Sequence, residues 1–227
     1  MKVGGLIKNS LIDFPGRPAL VIFTQGCSWR CPFCHNPRLI ARRASCSLKI
    51  DSIFELLAKR PARARNLVIT GGEPTEQADL IPTLCRAKHI GARVKLDTNG
   101  SNPKVLRRVV QEGLAEYIAL DVKGPLARYS KFTGGIRAAE AMQESISLLL
   151  HHATAYEFRT TVVPALHRPA DFAAVGESLQ GGRQLYLQGF RRKGVLDREL
   201  RETSEPTAAF LRECAAYAEP YIPTLVR

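Results

Sequence analysis

The residues of this chain best suited to chemistry are three cysteines that lie close together in one loop. Cys27, Cys31 and Cys34 form a C-x3-C-x2-C array, which follows the short apolar run Ala19–Phe23. Three soft thiolates at this spacing are typical ligands of an iron–sulfur cluster. A cubane cluster has four irons, so three cysteines leave one iron without a protein ligand. A small molecule could bind and react at that open iron.

A structural zinc site is the main alternative for the same array. Zinc usually takes four ligands, commonly in two separated pairs, and the only other candidate nearby is His35, which adjoins Cys34. A disulfide pair or buried structural thiols are weaker alternatives, because Gly26, Pro32 and polar neighbours give the segment the composition of a loop. The array therefore predicts a cluster with an open iron more strongly than it predicts zinc.

The composition bounds the class of protein and its partners. The chain has 227 residues, enough for one core, and its 33 Lys and Arg against 21 Asp and Glu give a formal charge of +12. No apolar run reaches the ~18 residues of a membrane span, and the first residues lack the apolar core of a signal peptide, so we expect a cytoplasmic protein. The basic residues form no stripe with interleaved aromatics, which argues against nucleic acid and leaves two interpretations of the charge, an acidic protein partner or simply a basic, soluble surface.

Strand and helix signals alternate along the chain from the cysteine loop onward. Strands are predicted at about 18–24, 66–70, 92–97, 116–121, 156–163 and 184–188. Helices are predicted from the S-x-x-E capping box at Ser52 to Pro61, and at about 78–89, 103–113, 138–151, 171–179 and 206–218. Cys85 and Cys214 fall on these helices, where we expect them to pack as small apolar residues, and Cys46 lies apart from both.

Six β-then-α units predict an α/β fold with a parallel sheet and right-handed crossovers. Eight units would close a barrel of about 250 residues, so six units predict a partial, three-quarter (βα)6 barrel and one domain over residues 1–227. In such folds functional groups lie where strands end. The predicted strand ends carry the cysteine loop, Gly71-Gly-Glu-Pro74, Asp97-Thr-Asn-Gly100 and Asp121-Val-Lys123, with Arg159 on the fifth strand. Together they predict a single site.

The cysteine array followed by His35-Asn36-Pro37 resembles the radical S-adenosylmethionine (SAM) enzymes. Within that superfamily it is similar to the activases of glycyl-radical enzymes. The opening Gly5–Gly16 resembles the anaerobic ribonucleoside-triphosphate reductase activating proteins, with the pyruvate formate-lyase activases as near relatives. The resemblance runs from about residue 4 to residue 190, and it implies the same three-quarter barrel with a [4Fe-4S] cluster and SAM.

The resemblance also implies roles for particular residues. Cys27, Cys31 and Cys34 would hold the cluster, and SAM would be contacted by Asn36, Gly71, Gly72, Glu73, Pro74, Thr98, Asp121 and Lys123. Asp97, Thr98 and Asp121 match residues that hold a monovalent cation in the formate-lyase activase. The alternatives are a plain turn for Gly71–Pro74, an ion pair for Asp121 and Lys123, and a helix cap for Asp97. Trp29 would shield the cluster, and His35 would order the loop.

Three further positions carry weaker expectations. Asp13 aligns with an activase aspartate that faces the glycine-bearing peptide, although Phe14 stands where that relative has glycine, and a turn carboxylate is the alternative. Arg159 would meet a carboxylate or form a salt bridge at the edge of the core. A histidine that reaches SAM beyond the sixth strand of the formate-lyase activase has no counterpart here, where the chain has Gln188-Gly-Phe-Arg191.

The resemblance implies an activase that cleaves SAM reductively and takes a hydrogen atom from a backbone glycine of a partner enzyme. Anaerobic ribonucleotide reductase is the implied partner, and an acidic flavodoxin or ferredoxin is the implied electron donor. Two alternatives stay open from the residues alone. One is a radical SAM enzyme that acts on a small molecule or a nucleic-acid base, and the other is a non-enzymatic module that binds zinc or a cluster.

Overall fold

A computed structural model describes residues 1–41, 48–153 and 155–227 of the chain. The strands are β1 (Val3–Phe14), β2 (Arg17–Thr24), β3 (Asn66–Gly71), β4 (Arg93–Thr98), β5 (Tyr117–Asp121), β6 (Tyr156–Val162), β7 (Leu185–Gly189) and β8 (Thr224–Val226). The α-helices are α1 (Ile50–Ala58), α2 (Leu80–His89), α3 (Pro103–Gln111), α4 (Ala139–His152), α5 (Asp171–Ser178) and α6 (Ala208–Ala218). Within these residues no helix combines the length and the apolar character that crossing a bilayer requires.

The strands form one sheet in the order β1-β2-β3-β4-β5-β6-β7-β8, with β1 and β8 at its two edges, so the sheet is not closed. β1 runs antiparallel to β2, whereas β3 is parallel to both β2 and β4, and β7 is parallel to both β6 and β8. The six strands predicted from the sequence are β2 to β7. Because parallel strands share a direction, the carboxyl ends of β2, β3 and β4 lie together in the first unit, and those of β6, β7 and β8 lie together in the second.

The described residues group into two compact units. The first contains Met1–Ser28, Arg38–Thr98 and Lys104–Ala119, and the second contains Trp29–Pro37, Asn99–Pro103 and Leu120–Arg227. Each unit is described by itself below, and the single domain over residues 1–227 stays a prediction.

In the first unit, helix α1 buries Ile53, Phe54 and Leu57, an apolar stripe at helical spacing. The predicted capping box at Ser52 is wrong. The helix begins at Ile50, two residues earlier, and the residue before it, Lys49, makes no side-chain cap. Ser52 therefore lies inside the first turn, where its hydroxyl cannot act as the N-cap.

In the second unit, helix α6 begins at a side-chain cap, because the Thr207 hydroxyl accepts a hydrogen bond from the Phe210 amide at 3.1 Å. Cys214 is fully buried on this helix, as predicted. The same prediction is wrong for Cys85, which lies on the exposed side of α2 in the first unit, one residue beyond the buried Leu84. Cys46 lies outside the described residues.

Candidate active site

The first part of the cysteine loop is bound to a segment of the first unit. After β2 ends, the Gly26 amide donates to the Leu39 carbonyl at 2.7 Å, and the Cys27 amide donates to the Ile40 carbonyl at 3.2 Å. The side chain of Gln25, which is 2% exposed, donates to the Arg38 carbonyl at 2.9 Å. The backbone that carries Cys27 is therefore fixed without help from a ligand.

The two glycines of Gly71–Pro74 pack against the same loop. Gly71 has a φ of +111°, and a Cβ there would lie 2.4 Å from the Thr24 nitrogen; a Cβ at Gly72 would lie 2.1 Å from the Gly26 carbonyl oxygen. Two hydrogen bonds hold this close approach, from the Gly72 amide to Thr24 at 2.9 Å and from the Glu73 amide to Gly26 at 2.8 Å. The sequence suggested close approach to a ligand, and the structure shows close approach to the start of the cysteine loop.

The short 3-10 helix Pro74–Glu76 strengthens this attachment. Pro74 is buried at its first turn. The Ser28 amide donates to Glu76 Oε1 at 2.9 Å, and the Gln77 side chain donates to the Gln25 carbonyl at 3.0 Å. Sequence reasoning missed Glu76 and Gln77, although both follow the glycine motif directly at a strand end.

Glu73 is fully buried, and its carboxylate joins the ends of two strands. Its Oε1 accepts hydrogen bonds from the Thr75 amide at 2.9 Å, the Thr75 hydroxyl at 2.6 Å and the Thr98 hydroxyl at 2.6 Å. Thr98 is the last residue of β4. Of the predicted SAM contacts, Glu73 and Thr98 are thus brought together, and they contact each other.

Asp97, predicted as a ligand of a monovalent cation, has a lysine partner on its own strand. Lys95 Nζ lies 2.5 Å from Asp97 Oδ1, and the two side chains are 2% and 9% exposed. Residues two apart on a strand share a face, which explains the pair. The ammonium of Lys95 supplies positive charge to this carboxylate.

In the second unit, Cys31 and Cys34 form a tight turn in which the Cys34 amide donates to the Cys31 carbonyl at 2.9 Å. Burial raises the pKa of the Cys31 thiol to about 11, although Lys123 acts in the opposite direction. Burial also raises the pKa of Cys34, partly offset by a hydrogen bond from the Asn36 backbone amide. Asn36 therefore contacts a predicted cluster ligand through its backbone.

The loop after β7 holds the same cysteine turn. The Leu196 amide donates to the Cys34 carbonyl at 3.1 Å, and the Asp197 amide donates to the Pro32 carbonyl at 2.9 Å. His35 Nε2 lies 2.9 Å from the Arg191 carbonyl oxygen. His35 thus contacts Arg191, the last residue of the stretch Gln188–Arg191, where the formate-lyase activase has its extra histidine.

Asp121, Lys123 and Arg159 form an ionic group at the end of β5. Lys123 Nζ lies 3.2 Å from Asp121 Oδ2, and Arg159 Nε lies 2.8 Å from Asp121 Oδ1. Burial raises the pKa of Asp121, but the two cations outweigh it and bring the pKa to about 2. Burial lowers the pKa of Lys123, but Asp121 and Cys31 outweigh it and leave the pKa raised. Lys123 is thus a charged ammonium whose field reaches Cys31.

Two further side chains surround Lys123. Trp29 is 2% exposed and packs its edge against Tyr129, with 5.9 Å between ring centroids. The Tyr129 hydroxyl accepts a hydrogen bond from the Lys123 amide, and His167 Nε2 bonds to the Lys123 carbonyl. Sequence reasoning missed Tyr129 and His167, although His167 lies only four residues after the end of a predicted strand.

Asp13 lies at the other end of β2 from the cysteine loop. Because β1 is antiparallel to β2, Phe14 pairs with Arg17, while Val3 pairs with Thr24. The distance along the strand from Arg17 to Thr24 is about 23 Å. The Asp13 carboxylate accepts a hydrogen bond from the Ser10 hydroxyl at 2.5 Å. The structure places Asp13 near the end of β1, next to the β1–β2 turn and at the opposite end of β2 from Thr24.

The three cysteines and their surroundings fit the [4Fe-4S] cluster that the sequence predicted. Three thiols lie in a loop whose backbone is fixed in both units, and the buried Trp29 and Phe33 give Cys31 and Cys34 a dry surrounding of the kind that tunes a cluster. Among the described ranges, no three His, Cys, Asp or Glu side chains are grouped as ligands of a single metal ion. In a four-iron cluster each cysteine binds a different iron.

Comparison with known proteins supports this picture. A family model described as "Radical SAM superfamily" matches residues 21–166. A curated protein of Methanocaldococcus jannaschii, named "Putative glycyl-radical enzyme activating enzyme MJ1227", is 31% identical over 99% of this chain and 94% of its own length. The pyruvate formate-lyase-activating enzyme of Streptococcus mutans is 32% identical over 54% of this chain and 52% of its own length.

A solved structure shares the fold. Streptococcus suis SuiB bound to S-adenosylmethionine matches 91% of this chain with a TM-score of 0.70 and 13% identity. This chain spans about half of that protein, 49% of its length.

The chain therefore belongs to the radical SAM superfamily of enzymes. Within it, the chain belongs to the family of the Methanocaldococcus jannaschii protein whose name describes a glycyl-radical enzyme activating enzyme. The resemblance stated from the sequence is confirmed at this level. The predicted α/β fold of radical SAM type is also confirmed, with an open sheet.

Proposed function

We propose that this protein activates a glycyl-radical enzyme by creating the radical on a backbone glycine of that partner. The observation that carries the proposal is the similarity to the Methanocaldococcus jannaschii protein, which extends over 99% of the chain. The fixed cysteine loop and the charged Lys123 beside Cys31 support it, since they supply a cluster site and a group for an anionic ligand.

In this proposal, Cys27, Cys31 and Cys34 hold a [4Fe-4S] cluster. When bound, the cluster and SAM supply the difficult chemistry, the reductive cleavage of SAM to methionine and a 5′-deoxyadenosyl radical that takes a hydrogen atom from glycine. The Lys123 ammonium binds the SAM carboxylate, because it has three N–H donors and Asp121 accepts from one of them. Trp29 keeps water from the cysteine turn.

The residues at the strand ends of the first unit have a supporting part in the proposal. Gly71, Gly72, Glu73 and Pro74 present backbone carbonyls to the amino group of SAM, and the buried Glu73 carboxylate fixes that backbone. Thr98 acts through Glu73, and Asn36 acts through its amide. A monovalent cation at Asp97, Thr98 and Asp121 stays a prediction, and the salt bridge of Asp97 to Lys95 weakens it.

The identity of the partners belongs to the same proposal. Resemblance of residues 4–37 supports anaerobic ribonucleotide reductase as the glycyl-radical enzyme. The formal charge of +12 supports an acidic electron donor such as flavodoxin or ferredoxin, because opposite charges steer association. A cytoplasmic location also stays a prediction.

The test is an anaerobic activity assay with matched variants. Protein reconstituted with iron and sulfide, given SAM and reductant, should release 5′-deoxyadenosine. Addition of the anaerobic ribonucleotide reductase of the same organism should give a glycyl-radical signal in electron paramagnetic resonance. Cys27→Ala, Cys31→Ala and Cys34→Ala should each lose SAM cleavage by more than about a hundredfold, since each removes a cluster ligand.

Cys85→Ala is the control for those variants, because Cys85 is an exposed thiol outside the loop. It should cleave SAM at the unsubstituted rate. Full SAM cleavage in a loop variant would contradict the cluster assignment. SAM cleavage without any glycyl radical on the reductase would contradict the choice of partner and leave the cluster assignment standing.

A further inference from the structure

The main chain around Lys123 is fixed on both sides by groups that sequence reasoning did not find. The Lys123 amide donates to the Tyr129 hydroxyl at 3.1 Å, and the Lys123 carbonyl lies 3.0 Å from His167 Nε2. The preceding residue is held too, because the Val122 carbonyl accepts from the Thr160 hydroxyl at 2.8 Å. The position of the Lys123 Cα is therefore set independently of the ion pair that its side chain makes.

His167 is suited to fix the Lys123 backbone without adding a positive charge that would compete with the Lys123 ammonium for an anionic ligand. The Val163 amide donates to His167 Nδ1 at 3.0 Å, so the proton resides on Nε2, which donates to the Lys123 carbonyl. The ring is 2% exposed and stacks on Phe132, with 4.7 Å between centroids. Burial lowers the pKa of His167 to about 4, so the imidazole is neutral at pH 7 and adds no second charge beside Lys123.

Tyr129 connects Lys123 to the cysteine loop. Its side chain is 1% exposed, and its ring meets the edge of Trp29, which lies between two of the predicted cluster ligands. Close by, the Arg30 amide donates to the Thr133 carbonyl at 3.2 Å, so the segment after Tyr129 also holds the backbone of the loop. One residue thus contacts both the loop through its ring and Lys123 through its hydroxyl.

We propose that Tyr129 and His167 are positioning residues that hold the Lys123 ammonium where it binds the carboxylate of SAM. The inference rests on the proposed function, because it takes Lys123 as the group that meets this carboxylate. Neither residue touches SAM itself. Their contribution is preorganisation, in which a charged group already in place binds its ligand without the cost of ordering a mobile backbone.

The test compares variants that keep the ring and remove its polar contacts. Tyr129→Phe keeps the packing on Trp29 and loses the hydroxyl, and His167→Phe keeps the stack on Phe132 and loses both hydrogen bonds. Anaerobic equilibrium dialysis of cluster-loaded protein against SAM should show binding weaker by about tenfold for each, because each variant removes one hydrogen bond to the Lys123 main chain. His167→Gln, whose amide can still donate to Lys123, should bind within about threefold of the unsubstituted protein.

A double-mutant cycle distinguishes positioning from a general structural role. If both residues act through Lys123, then Tyr129→Phe and His167→Phe should weaken SAM binding no further in a Lys123→Met background. An equal weakening in both backgrounds would overturn the inference. So would single variants that bind SAM as tightly as the unsubstituted protein while Lys123→Met binds it weakly.

A different result, the SAM affinity of Lys123→Met by itself, would show that the proposed function is wrong. If Lys123→Met alone leaves the affinity for SAM unchanged, the assignment of Lys123 in the proposed function is wrong. Tyr156→Phe is the matched control, since it removes the hydroxyl of another buried tyrosine residue of the same unit and should leave SAM binding unchanged. Iron content per chain and the unfolding midpoint should be unchanged in Tyr129→Phe. Loss of iron there would mean that Tyr129 acts on the cysteine loop and would overturn the inference.

Discussion

Two acidic side chains, Glu73 and Asp121, lie at strand ends and are held in opposite ways. Glu73 Oε1 takes its three hydrogen bonds from neutral donors, two on Thr75 and one on Thr98. Asp121 binds the cations Lys123 and Arg159. The Glu73 carboxylate connects two backbone segments, those that carry Thr75 and Thr98, whereas the Asp121 carboxylate holds two cations together.

The difference bears on which group we expect to contact a ligand. Glu73 is fully buried and its Oε1 accepts three hydrogen bonds from protein groups, so we expect it to act on a ligand through the backbone that it fixes. Lys123 keeps donors beyond the one that Asp121 accepts, and its side chain is 14% exposed. A strand-end acid that resembles a ligand contact in sequence can therefore be a support for backbone, and in the proposed function the contact with SAM is assigned to Lys123.

The largest expected effect tests the supporting role of Glu73. Glu73→Ala leaves three buried donors without their acceptor and should lower the free energy of unfolding by about 4 kcal/mol. Asp121→Ala should cost about 2 kcal/mol, because water can reach the cations that it leaves. Urea unfolding measures both.

Glu73→Gln is the control for that pair of variants. It keeps an oxygen in place and should cost about 1 kcal/mol. A greater loss of stability from Asp121→Ala than from Glu73→Ala would contradict the comparison.

The central part of the fold could be predicted from the sequence because buried parallel strands are short apolar runs bounded by turns. The predicted strands 66–70 and 116–121 match β3 and β5 to within a residue. Strand β1 was missed because it is an edge strand with register shifts, and its glycines and the polar stretch Lys8–Ser10 break the alternation. Strand β8 has 3 residues, too few to carry a periodic signal.

The site was predictable only where side chains belong to a motif. The cysteines and Gly71–Pro74 were found because spacing and strand ends mark them. Tyr129 and His167 were missed because their roles come from contacts across 6 and 44 residues of chain, which no local pattern encodes. The resemblance that suggested a substrate-facing role for Asp13 matches only its sequence position, and that role stays a prediction; the antiparallel pairing of β1 places Asp13 at the opposite end of β2 from Thr24.

A smaller effect is the pH dependence that the ion pairs of Asp121 give to the free energy of unfolding. The pKa of Asp121 lies at about 2, below its ordinary value of 3.8, because Arg159 and Lys123 outweigh its burial. The stabilisation is present above the unfolded-state pKa and is lost as the pH falls through the folded-state pKa, so about 2 kcal/mol should disappear between pH 4 and pH 2. Urea unfolding at a series of pH values measures it.

Asp121→Asn tests the assignment of that loss, since the amide has no charge to titrate. The variant should be less stable at pH 5 and should show a flatter pH dependence below pH 4. An unchanged slope in Asp121→Asn would assign the acid sensitivity to other carboxyl groups.

The smallest expected effect is the difference in stability cost between variants of two threonines, both of which are almost fully buried. The Thr98 hydroxyl donates to the Glu73 carboxylate at 2.6 Å, and the Thr160 hydroxyl donates to the Val122 carbonyl at 2.8 Å. The two residues are 2% and 1% exposed. Thr98→Val should cost about 2 kcal/mol and Thr160→Val about 1 kcal/mol in urea unfolding, because a bond to a charged acceptor is the stronger one.

The Glu73→Gln background makes this comparison stricter. There the acceptor of Thr98 is neutral, so the cost of Thr98→Val should fall to that of Thr160→Val, while the cost of Thr160→Val should stay the same. Equal costs for the two threonines in the unsubstituted protein would show that Glu73 is held no more tightly than a backbone carbonyl. The contrast between Glu73 and Asp121 would then depend on Asp121 alone.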